Sequence, residues 1–201
     1  MERDFVTVIR AEIPGNGVVI SVGLPGSWKS PVTEEIGKLK GLQILRSDLI
    51  RLEVLKGQDI FDSSVASNPL NRQRVYDEMF RRAEEALKTD PAGIILDATF
   101  VTHKLRIRAA SHARQARRPF VIVECVCSEE RSIRRILKRT KENYESNALT
   151  REAYLNNKAL FEPVNLKGIQ ERFGDLALLH VRVDTEEDDL AGWKISLIEK
   201  G

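Results

Sequence analysis

Cysteine is nearly absent from this chain of 201 residues: there are two, Cys125 and Cys127, in VIVECVCS. A strand at that point would put both on one face, too close to bridge each other comfortably. No second pair exists to complete a zinc site, so both read as small buried hydrophobes. Histidine is as scarce, and His103, His112 and His180 show no metal-ligand spacing. No apolar run approaches the roughly 20 residues of a membrane span. The opening MERDFVTVIRAEIPG is charged and lacks the apolar stretch of a secretion signal. The expectation is an intracellular protein, cytoplasmic in a bacterium or archaeon, with no membrane partner. An excess of one charge is missing too. With 32 Lys+Arg against 30 Asp+Glu, net +2, composition by itself points to neither nucleic acid nor membrane. Two blocks, residues 103–118 and 131–141, are basic without any acid. The first carries no aromatic residue to stack on bases and reads as the solvated face of a helix.

What is present is alternation. Short apolar runs at 18–23, 42–48, 93–99, 120–127 and 176–183 read as buried strands, because near-continuous apolar runs suit a sheet covered on both faces. Helical patterns fall between and after them, roughly at 30–40, 49–56, 70–88, 103–117, 129–141, 151–161 and 187–199. This order predicts one α/β domain over residues 1–201, with a parallel sheet and right-handed crossovers. Residues 1–15 read as an arm or edge element, and the turn-rich stretch 57–69 as a loop. Ligands of such sheets bind at the strand-to-helix turns of the carboxyl edge. Three polar signals fall there: Gly23 to Ser30, Ser47-Asp48, and Asp97-Ala98-Thr99.

The first of these, GLPGSWKS, is one residue from the phosphate-binding pattern GxxxxGK[ST]. Backbone N–H groups of such a loop wrap phosphates, its lysine reaches the β/γ-phosphates, and its hydroxyl meets Mg²⁺. Gly23, Gly26, Lys29 and Ser30 stand at the needed spacing, with Ser27 inside the loop. Trp28 occupies the glycine position, where φ is often positive and a Cβ is costly. Its indole must turn outward or reshape the loop. Pro31 removes a backbone donor from the first helical turn.

With LRSDLIR, VYDEMFRRAEEAL, GIILDATF, ARQARRPFVIVECVCSEERSIRRILKR and FEP in order after the loop, residues 18–163 resemble P-loop kinases of the polynucleotide-kinase and zeta-toxin-like group. That group usually has Gly where Trp28 stands and commonly Thr where Pro31 stands. The resemblance implies a three-layer P-loop fold with an Arg-bearing helical lid over about 129–163. It also implies phosphoryl transfer from Mg-ATP to a hydroxyl acceptor. Asp48 then resembles the general base, a helix N-cap being its plainer reading. Arg51, one helical turn on, would touch the acceptor. Asp97 resembles the strand-end aspartate that holds a Mg²⁺-bound water or fixes Ser30, and Thr99 would assist. Arg135 and Arg139, on one helix face, would clamp the phosphates. Arg106, one turn into the helix after DATF, lies near enough to the edge to touch the acceptor. The near-neutral charge favours a small-molecule acceptor over a polynucleotide. Two rivals remain: a non-catalytic binding module whose loop Trp28 plugs, and a nucleotide switch or hydrolase without an acceptor.

Overall fold

A computed structural model describes residues 3–140, 146 and 148–201. In chain order the strands and helices are β1 (Arg3–Asp4), α1 (Phe5–Glu12), β2 (Val18–Val22), α2 (Lys29–Lys40), β3 (Gln43–Arg46) and α3 (Ser47–Val54). There follow α4 (Ser63–Ala66), α5 (Pro69–Thr89), β4 (Ile94–Asp97), α6 (His103–Gln115), β5 (Phe120–Val126) and α7 (Glu129–Leu137). The chain closes with α8 (Arg151–Leu160), α9 (Leu166–Arg172), β6 (Leu178–Asp184), a single 3₁₀ turn (Leu190–Gly192) and β7 (Lys194–Lys200). One seven-stranded sheet has the order β1-β7-β6-β5-β2-β4-β3. The five strands from β6 to β3 are parallel, while β7 and β1 continue the sheet antiparallel.

Period-two alternation divides the core. Val18, Ile20 and Val22 of β2 face a layer built with α5, α6 and α9. Val19 faces α1, α2 and Trp193 on the other side. Helix starts follow side-chain caps: Asn68 Oδ1 accepts from Leu70 N at 2.9 Å just ahead of Pro69, and Ser128 Oγ accepts from Arg131 N at 3.2 Å.

Two expectations are corrected, for residues 187–199 and for the end of the helix from 129, and one is narrowed, for residues 1–15. Residues 187–199, read as a helix from an acidic start, form the 3₁₀ turn and β7, which pairs along the exposed edge of β6 and caps it. The carboxylates there serve side-chain contacts instead: Asp188 pairs with Arg135, and Glu186 accepts from Ser128. Of residues 1–15, read as an arm or edge element, Arg3–Asp4 form the edge strand β1 paired with β7, and Phe5–Glu12 form α1. Asp4 caps α1, whose Phe5, Val8 and Ile9 are buried. Helix α7 stops at Leu137, so Arg139 lies beyond it; Lys141 and most of TKENYESNA fall outside the described residues. Among the described residues, no helix is long and apolar enough to cross a membrane.

Candidate active site at the carboxyl edge of the sheet

The loop between β2 and α2 is held from beneath. Gly23 takes φ +150° and Gly26 φ +81°. A Cβ on Gly26 would stand 2.3 Å from the Ser132 carbonyl oxygen, and one on Gly23 2.5 Å from that of Cys125. Gly23 N donates to Thr99 O at 3.3 Å, and Thr185 Oγ1 donates to Ser27 O at 3.2 Å. Trp28 adopts the left-handed conformation of the glycine it replaces, at φ 55° and ψ 32°. Its indole is taken up by protein. The Arg135 guanidinium lies 4.8 Å from its centroid, and Trp193 meets it edge-on at 6.5 Å. The loop therefore keeps its backbone course around a tryptophan, and the indole forms part of the cavity wall.

Lys29 Nζ donates to Leu24 O at 2.8 Å, and burial pushes its pKa down. Ser30 Oγ donates to Asp97 Oδ2 at 2.5 Å, while Ser21 Oγ donates to Asp97 Oδ1 at 2.8 Å. Asp97, at the tip of β4, is buried beside the loop. A hydroxyl and a carboxylate in contact are hard oxygen donors of the kind Mg²⁺ takes beside nucleotide phosphates and water. Among the described residues, no cluster of three or more His, Cys, Asp or Glu forms a cage independent of a nucleotide.

Asp48 stands in the first turn of α3, whose N-cap is Arg46, so the N-cap reading of Asp48 falls away. Burial raises its pKa, an effect opposed by the charges of Arg51, Arg139 and Lys29 and reinforced by Asp97. These five groups line one cavity of about 730 Å³. Arg139 reaches it from behind α7 and donates through Nη1 to Ala148 O at 3.2 Å.

Two sequence-derived site residues have other duties. Arg106 is fully buried and does not line the cavity. Its guanidinium donates to the carbonyls of Phe100, Val101, Glu162 and Pro163 at 2.7–3.2 Å. It thereby ties the DATF turn to the FEP segment; Phe100 holds φ +43° there and donates its N–H to Tyr76 Oη at 3.2 Å. Arg135 touches the cavity but is no open clamp. It pairs with Asp188 at 2.7 Å and donates to Gly26 O at 3.2 Å and Thr185 O at 2.6 Å, bracing the loop. Sequence reading missed Arg46, Arg72 and Tyr76, all on the cavity wall. Arg46 sits at the β3 tip beside Ser47-Asp48, and Arg72 lies one turn into a helix that Asn68-Pro69 announces. Both positions were readable as edge positions.

A five-stranded parallel sheet with a glycine-bearing loop after its central strand and an aspartate at the neighbouring strand tip defines a P-loop kinase-like protein. The AAA-domain family model matches residues 18–164, and the chain belongs to that family. No curated protein matches the sequence. Solved structures are similar in fold. A gluconokinase from Sinorhizobium meliloti 1021 is 15% identical, with TM-score 0.57 over 89% of this chain and 87% of its own. Kti12 from Chaetomium thermophilum, solved in complex with ADP-AlF3, is 16% identical, with TM-score 0.58 over 82% and 88%. The AvrRxo1-ORF1:-ORF2 structure with ATP is 16% identical, with TM-score 0.60 over 96% and 61%.

Proposed function

We propose that the chain is one ATP-dependent phosphotransferase unit that moves the γ-phosphoryl of Mg-ATP to a hydroxyl acceptor. The convergence of Lys29, Ser30, Asp97, Asp48 and Arg139 on one cavity carries this reading. The ADP-AlF3 and ATP bound to the neighbours of similar fold support nucleotide as the ligand of the loop.

Gly26 and Trp28 offer backbone N–H groups to the phosphates, and Lys29 and Arg139 meet the charge on the transferring group; Gly23 and Ser27, whose N–H groups are held by the carbonyls of Thr99 and Leu24, shape the loop from below. Ser30 and Asp97 would hold Mg²⁺, directly or through water; when bound, it draws charge from the phosphate oxygens. Asp48 accepts the proton of the acceptor O–H as the new O–P bond forms and the P–O bond to the leaving ADP breaks, its electron pair staying on ADP. Arg51 orients the acceptor. A hydrolase would need no such wall of acceptor contacts.

The acceptor is a small molecule. The basic helix α6 is neutralised within the fold rather than presented as a groove: Arg108 pairs with Asp77 and Arg114 with Asp175. ATP as phosphoryl donor fits a cytoplasmic setting.

The test is calorimetric titration of Mg-ATP into the parent protein and Asp48→Asn, followed by transfer from labelled ATP to a panel of hydroxyl acceptors. Asp48→Asn is expected to bind ATP as the parent does and to lose about 10²–10⁴-fold in transfer. No ATP binding by the parent would overturn the phosphotransferase; undiminished transfer by the variant would remove Asp48 as base.

A further inference from the structure

We propose that Arg46 is a displaceable counter-ion. Its guanidinium balances the Asp97 carboxylate and withdraws onto Glu34 as Mg²⁺ is taken up, so that Arg46 sets how strongly metal and nucleotide support each other's binding. The proposal rests on the phosphotransferase reading and adds to it a residue that tunes the hold on the metal.

Parallel register makes Arg46 of β3 the direct neighbour of Asp97 at the tip of β4. On α2, Ser30 and Glu34 stand at i and i+4 and share one helix face. All four residues line the cavity. Arg46 lies between the two carboxylates and holds them differently. Its Nη1 donates to Glu34 Oε1 at 3.2 Å. Its Nε stands 3.9 Å from Asp97 Oδ2, is closed off from solvent and makes no hydrogen bond. The contact with Glu34 is therefore a bond, and the contact with Asp97 is charge alone. Asp97 has its hydrogen bonds from elsewhere: Ser30 Oγ donates to Oδ2 at 2.5 Å and Ser21 Oγ to Oδ1 at 2.8 Å. What a buried carboxylate still needs is positive charge nearby. Lys29 and Arg46 both bring it to Asp97.

Lys29 turns to the phosphates when nucleotide fills the loop. Arg46 then shares Asp97 with a divalent cation, and like charges at that range repel. A guanidinium that stays weakens the metal, and one that leaves must carry its charge to another carboxylate. Glu34 is already bonded to it and is 47% exposed, so water helps to solvate the pair there. Leaving Asp97 costs Arg46 no hydrogen bond, because Nε has none to lose. The planar fork can swing away from Asp97 while Nη1 keeps Glu34.

The experiment is calorimetric titration of ADP into the full chain, once in EDTA and once in saturating Mg²⁺, for the parent, Arg46→Gln, Glu34→Gln and the double variant. The ratio of the two ADP affinities separates the metal from any contact these side chains make with the nucleotide itself. Arg46→Gln should raise the ratio about fivefold or more, because a competing charge is gone. Glu34→Gln should lower it, because Arg46 then stays on Asp97. In the Arg46→Gln background the same Glu34→Gln change should do little, since Glu34 acts through Arg46. Damage to the fold would instead lower the ratio in both single variants. A ratio that falls or stays level in Arg46→Gln, or effects that simply add in the double variant, overturns the proposal. Arg46→Lys keeps the charge and should return the ratio towards the parent's. Should Arg46→Gln not fold, Glu34→Gln alone decides, and a level or raised ratio is the overturning result. If the parent binds ADP equally with and without Mg²⁺, the metal role of Ser30 and Asp97 falls and the exchange falls with it. If the parent responds to Mg²⁺ and the variants match it, the exchange alone falls.

Discussion

Trp28 holds a left-handed backbone at φ 55°, which costs a residue with a β-carbon about 1–2 kcal/mol. The indole gives back more through its place between Arg135 and Trp193, where cation–π and edge contacts contribute about 0.5–2 and 0.5–1.5 kcal/mol. Trp28→Gly therefore relieves the backbone and loses the packing. Chemical denaturation should show a protein less stable by about 1–2 kcal/mol, while calorimetry should show Mg-ATP affinity within a few-fold of the parent. A tenfold gain in affinity would mean that the indole obstructs the loop after all. Asp48 makes the complementary case. A carboxyl with a raised folded pKa favours the protonated state, so its contribution to stability is complete below the ordinary aspartate value and is lost as pH rises through the folded one. Asp48→Asn should accordingly be at least as stable as the parent at neutral pH while losing transfer. In the parent, the rate should climb with pH through an acid limb lying above the ordinary aspartate range, and that limb should vanish in the variant.

At the scale of the element, legibility followed contact range. The strands before and after GLPGSWKS, the acidic tip of GIILDATF and the helix after LRSD were readable because each signal is local. Buried parallel strands have apolar runs, and ligand turns have glycine or aspartate at their ends. The segment 187–199 was not readable, since its strand character comes from pairing with β6 and its acidic start imitates a helix N-terminus. Helix α1 was legible in principle: Phe5, Val8 and Ile9 follow the helical i, i+3, i+4 pattern, with Asp4 as cap. Arg106 escaped for a different reason. Spacing places it one turn beyond the active edge, and only the fold shows that the returning FEP segment supplies the carbonyls that absorb its charge. That clamp makes a stability prediction. Arg106→Ala strips a fully buried guanidinium from four carbonyls and should lower the unfolding free energy by about 3 kcal/mol or more. Urea denaturation measures this, and a loss under 1 kcal/mol would return Arg106 to a role in binding.

Across the whole molecule, the phosphate loop depends on parts of the chain that the family match leaves out. The match spans residues 18–164, yet Trp28 rests on Trp193, and Trp193 meets Phe5 of α1 edge-on at 5.3 Å. Thr185, just past β6, holds Ser27, and the carbonyls of Thr185, Glu186 and Glu187 hold Arg135 beneath Gly26. Both chain ends are thus built into the foundation of the loop. A ligand seated there is coupled to the stability of α1 and the β6–β7 edge as well as to its own contacts. Binding to the native state alone stabilises it by about 2.7 kcal/mol at a hundredfold excess over Kd. For a domain of this size that raises the melting temperature by about 5–10 °C. Hydrogen exchange should show the added protection in α1 and β7, more than 160 residues of sequence apart, along with the loop itself. Protection confined to residues 23–30 would mean that the chain ends merely cover the sheet, and that the Trp28–Trp193–Phe5 stack transmits nothing to the site.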